Sequence, residues 1–419
     1  MKFSANVNLL INALTPITYG ATKDGDREIA ESFKISLSTD NKHPLTLNAK
    51  SFGGRIGVEG NIQDLSKGLD QLSFKLLEEG EATISAVDLE TSLKSFRPDT
   101  IVVVSRVNNE VVIEDSKNKE DVQSLPIMPD GKIEMPKIID GEDDFCEVKI
   151  LRSVFIRGLK KVMWAVGDHD HRERYKNWVV RVTPNHIRFV GGSGARFAVL
   201  DVDGKGISEL TSGKDSNMLF PEEHSSVIKD ILDKLQQDDW VTFKYNNKQC
   251  IITCGSYTIH MVGYDSGIGY IDENKFLDVA DRPYRVVTKV SDWMYASRGV
   301  MATFNADIKK VHDTHETDML IDLDGNCINI KAQTKMRSNR KIPILRVQQQ
   351  PETDTKINFK VTSVFLSEIA QYADDKSGDV YVEVVTNPNT AVFVKFPETT
   401  TGEVKEEFQL FFATMKAAN

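Results

Sequence analysis

Apolar residues recur along this chain at two periods, three-to-four and two, and the alternation between them repeats. In MLFPEEHSSVIKDILDKLQQDDWVTFKYNNKQCIIT, Val227, Ile228, Ile231, Leu232 and Leu235 form the stripe of an amphipathic helix. An alternating strand, an Asn-Asn turn and a second strand follow. INFKVTSVFLSEIAQYADDKSGDVYVEVVTNPNTAVFVKF repeats the pattern: Phe365, Leu366, Ile369, Ala370 and Ala373 keep the same relative spacings, and an Asn-Pro-Asn turn joins the strands. ATISAVDLETSLKSFRPDTIVVVSRVNNEVVIEDS is a weaker copy, with Leu89, Leu93 and Phe96 as the stripe and Asn108-Asn109 as the turn. Each copy is a helix feeding a β-hairpin.

Each copy is also preceded by an earlier strand and helix. The first helix spans Val7 to Ile17, with Leu10, Leu14 and Ile17 aligned; the third follows PYRVV and aligns Val290, Trp293, Met294, Ser297 and Met301. In the second, after CEVKIL, Phe155, Leu159, Val162, Met163 and Val166 share one stripe. Three units of strand, helix, strands, helix, strands result, which predicts an α+β fold with helices covering one face of antiparallel sheets. A doubly wound parallel sheet would need a crossover helix after nearly every strand. Boundaries near Met135–Asp144 and Asn274–Arg282 give domains at 1–138, 139–278 and 279–419.

Length agrees, since 419 residues exceed what one core normally supports. No apolar run approaches the length of a bilayer span, and MKFSANVNLLINAL lacks a signal peptide's charged head and cleavage site, so a cytoplasmic protein without membrane contact is expected. Four cysteines are too few and scattered for a disulfide framework; Cys250 and Cys254 share a strand face and read as buried thiols.

Charge changes the picture. The chain carries a formal net charge of -10, yet Arg157, Lys160, Lys161 and Trp164 line the polar side of the second unit's first helix, and Arg172, Arg174, Tyr175 and Lys176 crowd the loop after it. Clustered cations within an acidic protein suit a polyanion; a solvated helix face explains them equally simply. Catalytic chemistry finds less support. Asp168-His169-Asp170-His171 and the pair His312 and His315 lack a spacing that converges imidazoles on one ion, so no metal and no cofactor are expected. Gly191-Gly192-Ser193-Gly194 has neither the lysine of a phosphate loop nor the pattern of a nucleophile elbow, so no enzyme is expected.

Taken in order, these segments resemble the bacterial-type DNA sliding clamp, the β subunit of DNA polymerase III. MKFSANVNLLINAL resembles that family's first strand and helix, and EDVQSLPIMP the close of its first domain. RYKNWVVRVTPNHIRFVGGSGARFAVLDV resembles the stretch ending Ala-Thr-Asp-Gly-His-Arg-Leu-Ala, and FQLFFATMK the final strand leading into Met-Pro-Met-Arg-Leu. Departures are visible. Gly192, Ser193, Gly194, Ala195 and Arg196 stand where the family has Thr-Asp-Gly-His-Arg, and GIGYIDENKF replaces Phe-Pro-Asp-Tyr, leaving Tyr270 as its counterpart.

The resemblance implies a homodimeric ring of six similar domains, sheets outside and helices inside, that encircles duplex DNA without reading its sequence. Lys23, Arg157, Lys160, Lys161, Arg172, Arg174, Lys289 and Arg298 are then the DNA-facing cations. It also implies a pocket for peptides of the replicative DNA polymerase and the clamp loader, at Tyr175, Lys176, Gly192, Gly194, Arg196, Phe197, Tyr270, Phe412, Thr414 and Met415. A scaffold of repeated α+β domains without a DNA role is the alternative left open.

Overall fold

The computed structural model of the chain describes residues 1–18, 32–37, 45–50, 56–61, 74–128, 145–167, 175–193, 196–211, 215–235, 240–246, 248–262, 270, 272–277, 282–305, 316–333, 336–386 and 391–416. Elements follow in the order the periodicities predict. The first repeat runs β1 (Lys2–Asn6), α1 (Val7–Thr18), β2 (Ser32–Leu37), β3 (Leu45–Lys50), β4 (Ile56–Asn61), β5 (Phe74–Glu78), then β6 (Gly80–Ser85), α2 (Ala86–Lys94), β7 (Ile101–Val107), β8 (Glu110–Asp115) and β9 (Val122–Pro126). The second runs β10 (Cys146–Leu151), α3 (Arg152–Val162), β11 (Asn177–Thr183), β12 (His186–Gly192), β13 (Arg196–Asp203), β14 (Ser208–Leu210), then β15 (Ser216–Pro221), α4 (Glu222–Lys234), β16 (Trp240–Tyr245), β17 (Gln249–Cys254) and β18 (Tyr257–Val262). In the third come β19 (Tyr284–Lys289), α5 (Val290–Asn305), β20 (Glu316–Asp322), β21 (Cys327–Gln333), β22 (Arg337–Pro343), β23 (Arg346–Gln349), then β24 (Lys356–Thr362), α6 (Ser363–Tyr372), β25 (Asp379–Val385), β26 (Ala391–Lys395), β27 (Thr399–Thr401), β28 (Val404–Ala413) and β29 (Met415–Lys416).

Each repeat is therefore one motif used twice: a strand, a helix, then a meander. The reasons are local. Asn6 Oδ1 and Ser85 Oγ each accept an orphan backbone N–H in the first turns of α1 and α2, at 3.2 Å. Asn108, Asn185 and Asn326 take positive φ values of 53°, 67° and 48° where strands reverse, a conformation asparagine tolerates better than most residues. The predicted stripes of α4 and α6 are buried in full, as are Cys250 and Cys254. The helix expected to reach Val166 is shorter: at Met163 it tightens into a 3-10 turn through Ala165.

Packing gathers the chain into two compact units, Met1–Leu159 with Ser208–Ile268, and Lys160–Ile207 with Gly269–Asn419. The first holds one sheet in the order β5-β1-β7-β8-β9 and another in the order β14-β10-β16-β17-β18-β4-β3-β2-β6. In the second, β11-β12-β13-β28-β26-β25-β19-β23 run side by side and β22-β21-β20-β24-β29 form a further sheet. The ladders are antiparallel, as the α+β expectation requires.

Sheets thus continue from one repeat into the next. Inside the first unit β18 pairs with β4, from Tyr257 opposite Gly60 to Met261 opposite Ile56. Inside the second, β28 pairs with β13, from Phe412 opposite Arg196 to Lys405 opposite Asp203. In both joints the third strand of a first meander meets the closing strand of the next repeat's second meander. The strands holding the same places at the ends of the series, β22 and β9, are outermost in their sheets.

Close packing at α3 explains one glycine. A Cβ on Gly191 would lie 2.1 Å from the Val162 carbonyl oxygen, so β12 passes the helix end only with a bare Cα. Gly191→Ala is expected to destabilise the protein by at least ~2 kcal/mol, the scale of an overpacked core site, measured by thermal or urea unfolding.

Candidate functional site

Alternation along α3 sorts its cations. Lys160 is exposed and Arg157 partly so, but Lys161 is turned inward. Its ammonium donates to the Tyr372 carbonyl, ion-pairs with Asp374 at 2.9 Å and lies 4.7 Å above the Phe408 ring. Lys161 is therefore a packing residue rather than a phosphate contact. Trp164 likewise leaves the polar stripe. It follows Val162 into the 3-10 turn, stacks on Tyr372 at 4.7 Å and donates its indole N–H to the Lys161 carbonyl at 2.8 Å. Lys289 is tied to Asp379 at 2.5 Å, whereas Arg298 is exposed on α5. Lys23, Arg172 and Arg174 lie outside the described residues, as do the histidines at 169, 171, 312 and 315.

The residues expected to form one peptide pocket divide between two faces of β13. Neighbours in a strand point to opposite sides, and here Arg196 and Phe197 do so. On one side Tyr175 and Phe197 pack with Val385, Ala391, Phe393 and Phe411, and Leu277 of the one-turn helix Asn274–Leu277 rests on this cluster. Gly192 belongs here for a different reason than close approach of a peptide. A Cβ on it would stand 2.1 Å from the Phe197 ring, so its bareness accommodates that ring. Tyr270 is nearby, its hydroxyl 3.4 Å from the Val190 carbonyl, and burial pushes its phenol pKa up.

On the other side Arg196 ion-pairs with Glu368 at 2.9 Å, with both side chains largely buried, and its guanidinium lies over Trp164 and Phe365. Phe412 completes this layer by stacking on Phe365 at 4.6 Å. Burial, with the nearby Glu368 charge, raises the Tyr372 phenol to about 12. Lys176 is half-buried, as is Thr414; Met415 is in β29, pairing with Lys360, and Gly194 lies outside the described residues.

Three features escaped the sequence reading. A cross-strand row on the Phe197 face sets Arg181 opposite Arg188 and Arg188 opposite Asp201. Buried Glu273 pairs with Arg181, and Arg188 forks onto Asp201 at 2.6 and 3.1 Å. At the end of this row His186 meets Asp203 at 2.8 Å and Asp201 at 3.4 Å. Its pKa is raised, chiefly by the Asp201 hydrogen bond and then by Asp203, against burial. Burial would lift Asp201 too, but hydrogen bonds from His186 and Arg188 outweigh it and hold its carboxyl low. The second feature is a charge contrast between the two terminal edges: 327–350 contains six Lys or Arg and no acid, whereas 110–121 contains five acids and two lysines. The third is that all eight exposed large apolar side chains among the described residues belong to the layers of those edges: Leu77, Val87, Ile101, Val107 and Val122, and Tyr295, Met336 and Leu345.

Comparison with solved structures now has a geometry to match. A DNA polymerase III β subunit from Thermotoga maritima superposes with a TM-score of 0.77 at 13% identity, covering 100% of both chains. A DNA polymerase sliding clamp from Bacillus subtilis gives 0.77 at 12% identity, again over 100% of both, and a putative β subunit from Eubacterium rectale gives 0.76 at 13%, over 99% of both. The fold is that of the DNA sliding clamp. No family model and no curated protein sequence matches the chain. No helix among the described residues is long and apolar enough to cross a membrane.

Two outcomes follow for the clamp-fold site. Arg196→Ala, which leaves buried Glu368 without this counter-charge, should cost about 3 kcal/mol in unfolding experiments. Because the folded pKa of His186 is raised above its unfolded value, its stabilising contribution is complete below about pH 6 and is lost as pH climbs through the raised value. His186→Gln should flatten that decline in a pH series of melting temperatures.

Proposed function

We propose that this chain is a DNA sliding clamp, a non-enzymatic processivity factor that closes as a head-to-tail homodimeric ring around duplex DNA. The observation that carries this reading is that, among the described residues, β9 and β22 have no strand on their outer side, at the two places in the repeat series where the internal joints pair. Exposed strand edges invite pairing, and natural proteins usually protect them. β9 and β22 hold the places that β18 and β4, and β28 and β13, occupy in the two internal joints. Set against a second copy, acidic β8–β9 would meet basic β22, and exposed apolar side chains beside those edges, Val122 on β9 and Met336 just before β22 among them, would be covered.

In this reading Arg157, Lys160 and Arg298 approach the phosphates of DNA, with Lys23, Arg172 and Arg174 proposed to join them. Contacts confined to phosphate carry no sequence information, which a sliding protein needs. The buried cluster of Tyr175, Phe197 and Phe411 backs the surface over which a linear peptide of the replicative polymerase or the clamp loader would lie, with Tyr270, Lys176 and Thr414 at its margins. Domain limits at 1–138, 139–278 and 279–419 and a cytoplasmic location belong to the same proposal.

Sedimentation should give twice the 47.0 kDa chain mass at micromolar concentration, and protein loaded on circular duplex should stay bound until the circle is cut. A monomer that leaves circular and linear DNA at equal rates would contradict the ring.

A further inference from the structure

Each internal joint is fastened by a side chain that crosses it. In the first unit Tyr257 of β18 reaches over Gly60 of β4 and donates its phenol to the Ala13 carbonyl on α1 at 3.0 Å. In the second, Arg196 of β13 lies 5.4 Å over Trp164, just beyond α3, and ion-pairs with Glu368 of α6 at 2.9 Å.

The free edge β22 carries a similar fastening, with its arginine four residues along the strand from the place of Arg196 and on the same face. β22 corresponds in the repeat to β13, and α5 to α3. From β22, Arg340 sets its guanidinium 4.9 Å over the ring of Tyr295 on α5 and donates to its hydroxyl at 2.9 Å. Gly299 makes the room: a Cβ there would fall 2.2 Å from Arg340 Nε. What this copy lacks is the carboxylate. Among the described residues no Asp or Glu pairs with Arg340, its Nε is buried without a hydrogen-bond partner, and Tyr295 is 62% exposed. A guanidinium seated on a ring, in a strand at the margin of its sheet, is preorganised for an anion that no described residue of the chain brings.

The helix that corresponds to α6 is α2. Glu368 is the sixth residue of α6, and the sixth of α2 is Thr91; one turn earlier on the same side stands Asp88, exposed and without an ion pair among the described residues. Its neighbour Val87 is 46% exposed. We propose that Arg340, presented by Tyr295, takes Asp88 on α2 of a second copy, and that Tyr295 packs there on Val87. This pairing rests on the head-to-tail reading and gives that interface its selective contact. A desolvated charge pair next to an aromatic anchor is the usual make-up of an interface hot spot.

Head-to-tail symmetry supplies a decisive test. Arg340→Glu and Asp88→Arg should each weaken self-association roughly 100-fold at either interface, measured by sedimentation over a concentration series. In a one-to-one mixture of the two variants, one interface joins Glu at 340 to Arg at 88 and the other keeps the natural pair, so heterodimers should form at wild-type concentrations. The double variant in one chain should also recover. Circular dichroism melts of each variant establish folding, and Tyr295→Ser, which leaves both charges in place, should weaken association about 10-fold. A wild-type dimer whose Arg340→Glu variant associates as tightly overturns this pairing and leaves the ring standing. Weakening without recovery in either the mixture or the double variant overturns Asp88 as the partner. A wild-type chain that stays monomeric overturns the ring itself.

Discussion

A β-strand at the margin of a sheet offers a row of N–H and C=O groups that must find partners in protein or water. This chain meets that constraint twice by letting a sheet run on from one repeat into the next, β18 onto β4 and β28 onto β13. The joints are backbone ladders first. The side chains that cross them, Tyr257 in one and Arg196 in the other, fix which helix lies beside which strand. Everything proposed about assembly follows from the same rule applied to the two strands where the series stops.

The electrostatics serve the joints as much as any ligand. Lys161 looked like part of a cationic face and is instead inserted between Asp374 and the Phe408 ring. Arg181 and Arg188 hold the short segment around Glu273 against the sheet, and Arg282 does similar work beside Phe393 and Glu383. Buried ion pairs of this kind contribute little net stability over apolar residues of equal size, but they penalise wrong neighbours heavily. A chain only 12–13% identical to the clamps it superposes on can hold the same fold by that means.

Much of the fold was legible because period and face are properties of short segments. The stripes at Val227–Leu235 and Phe365–Ala373 are buried as read, and the Asn108-Asn109 turn reverses the chain where expected, while Asn247 and the Asn-Pro-Asn segment at 387–389 lie outside the described residues. Strand partners were not legible, since β13 and β28 lie some two hundred residues apart and periodicity names a face without naming a neighbour. The division of Arg196 from Phe197 was available from strand alternation and was missed because a motif was read as a unit. Trp164 was misplaced because a 3-10 turn rotates side chains differently from a helix. The acid-free run in 327–350 was plain in the sequence, but its meaning required knowing that β22 is an edge.

Hydrogen–deuterium exchange at the amides of β9 and β22, followed over a dilution series, addresses the central claim most directly, because it reads the backbone pairing itself. If the two edges close on one another between copies, amides of both strands slow together as concentration rises, while those of β18 and β4 stay protected throughout. Edge amides that exchange equally fast at every concentration, or protection that appears in only one of the two strands, would contradict it.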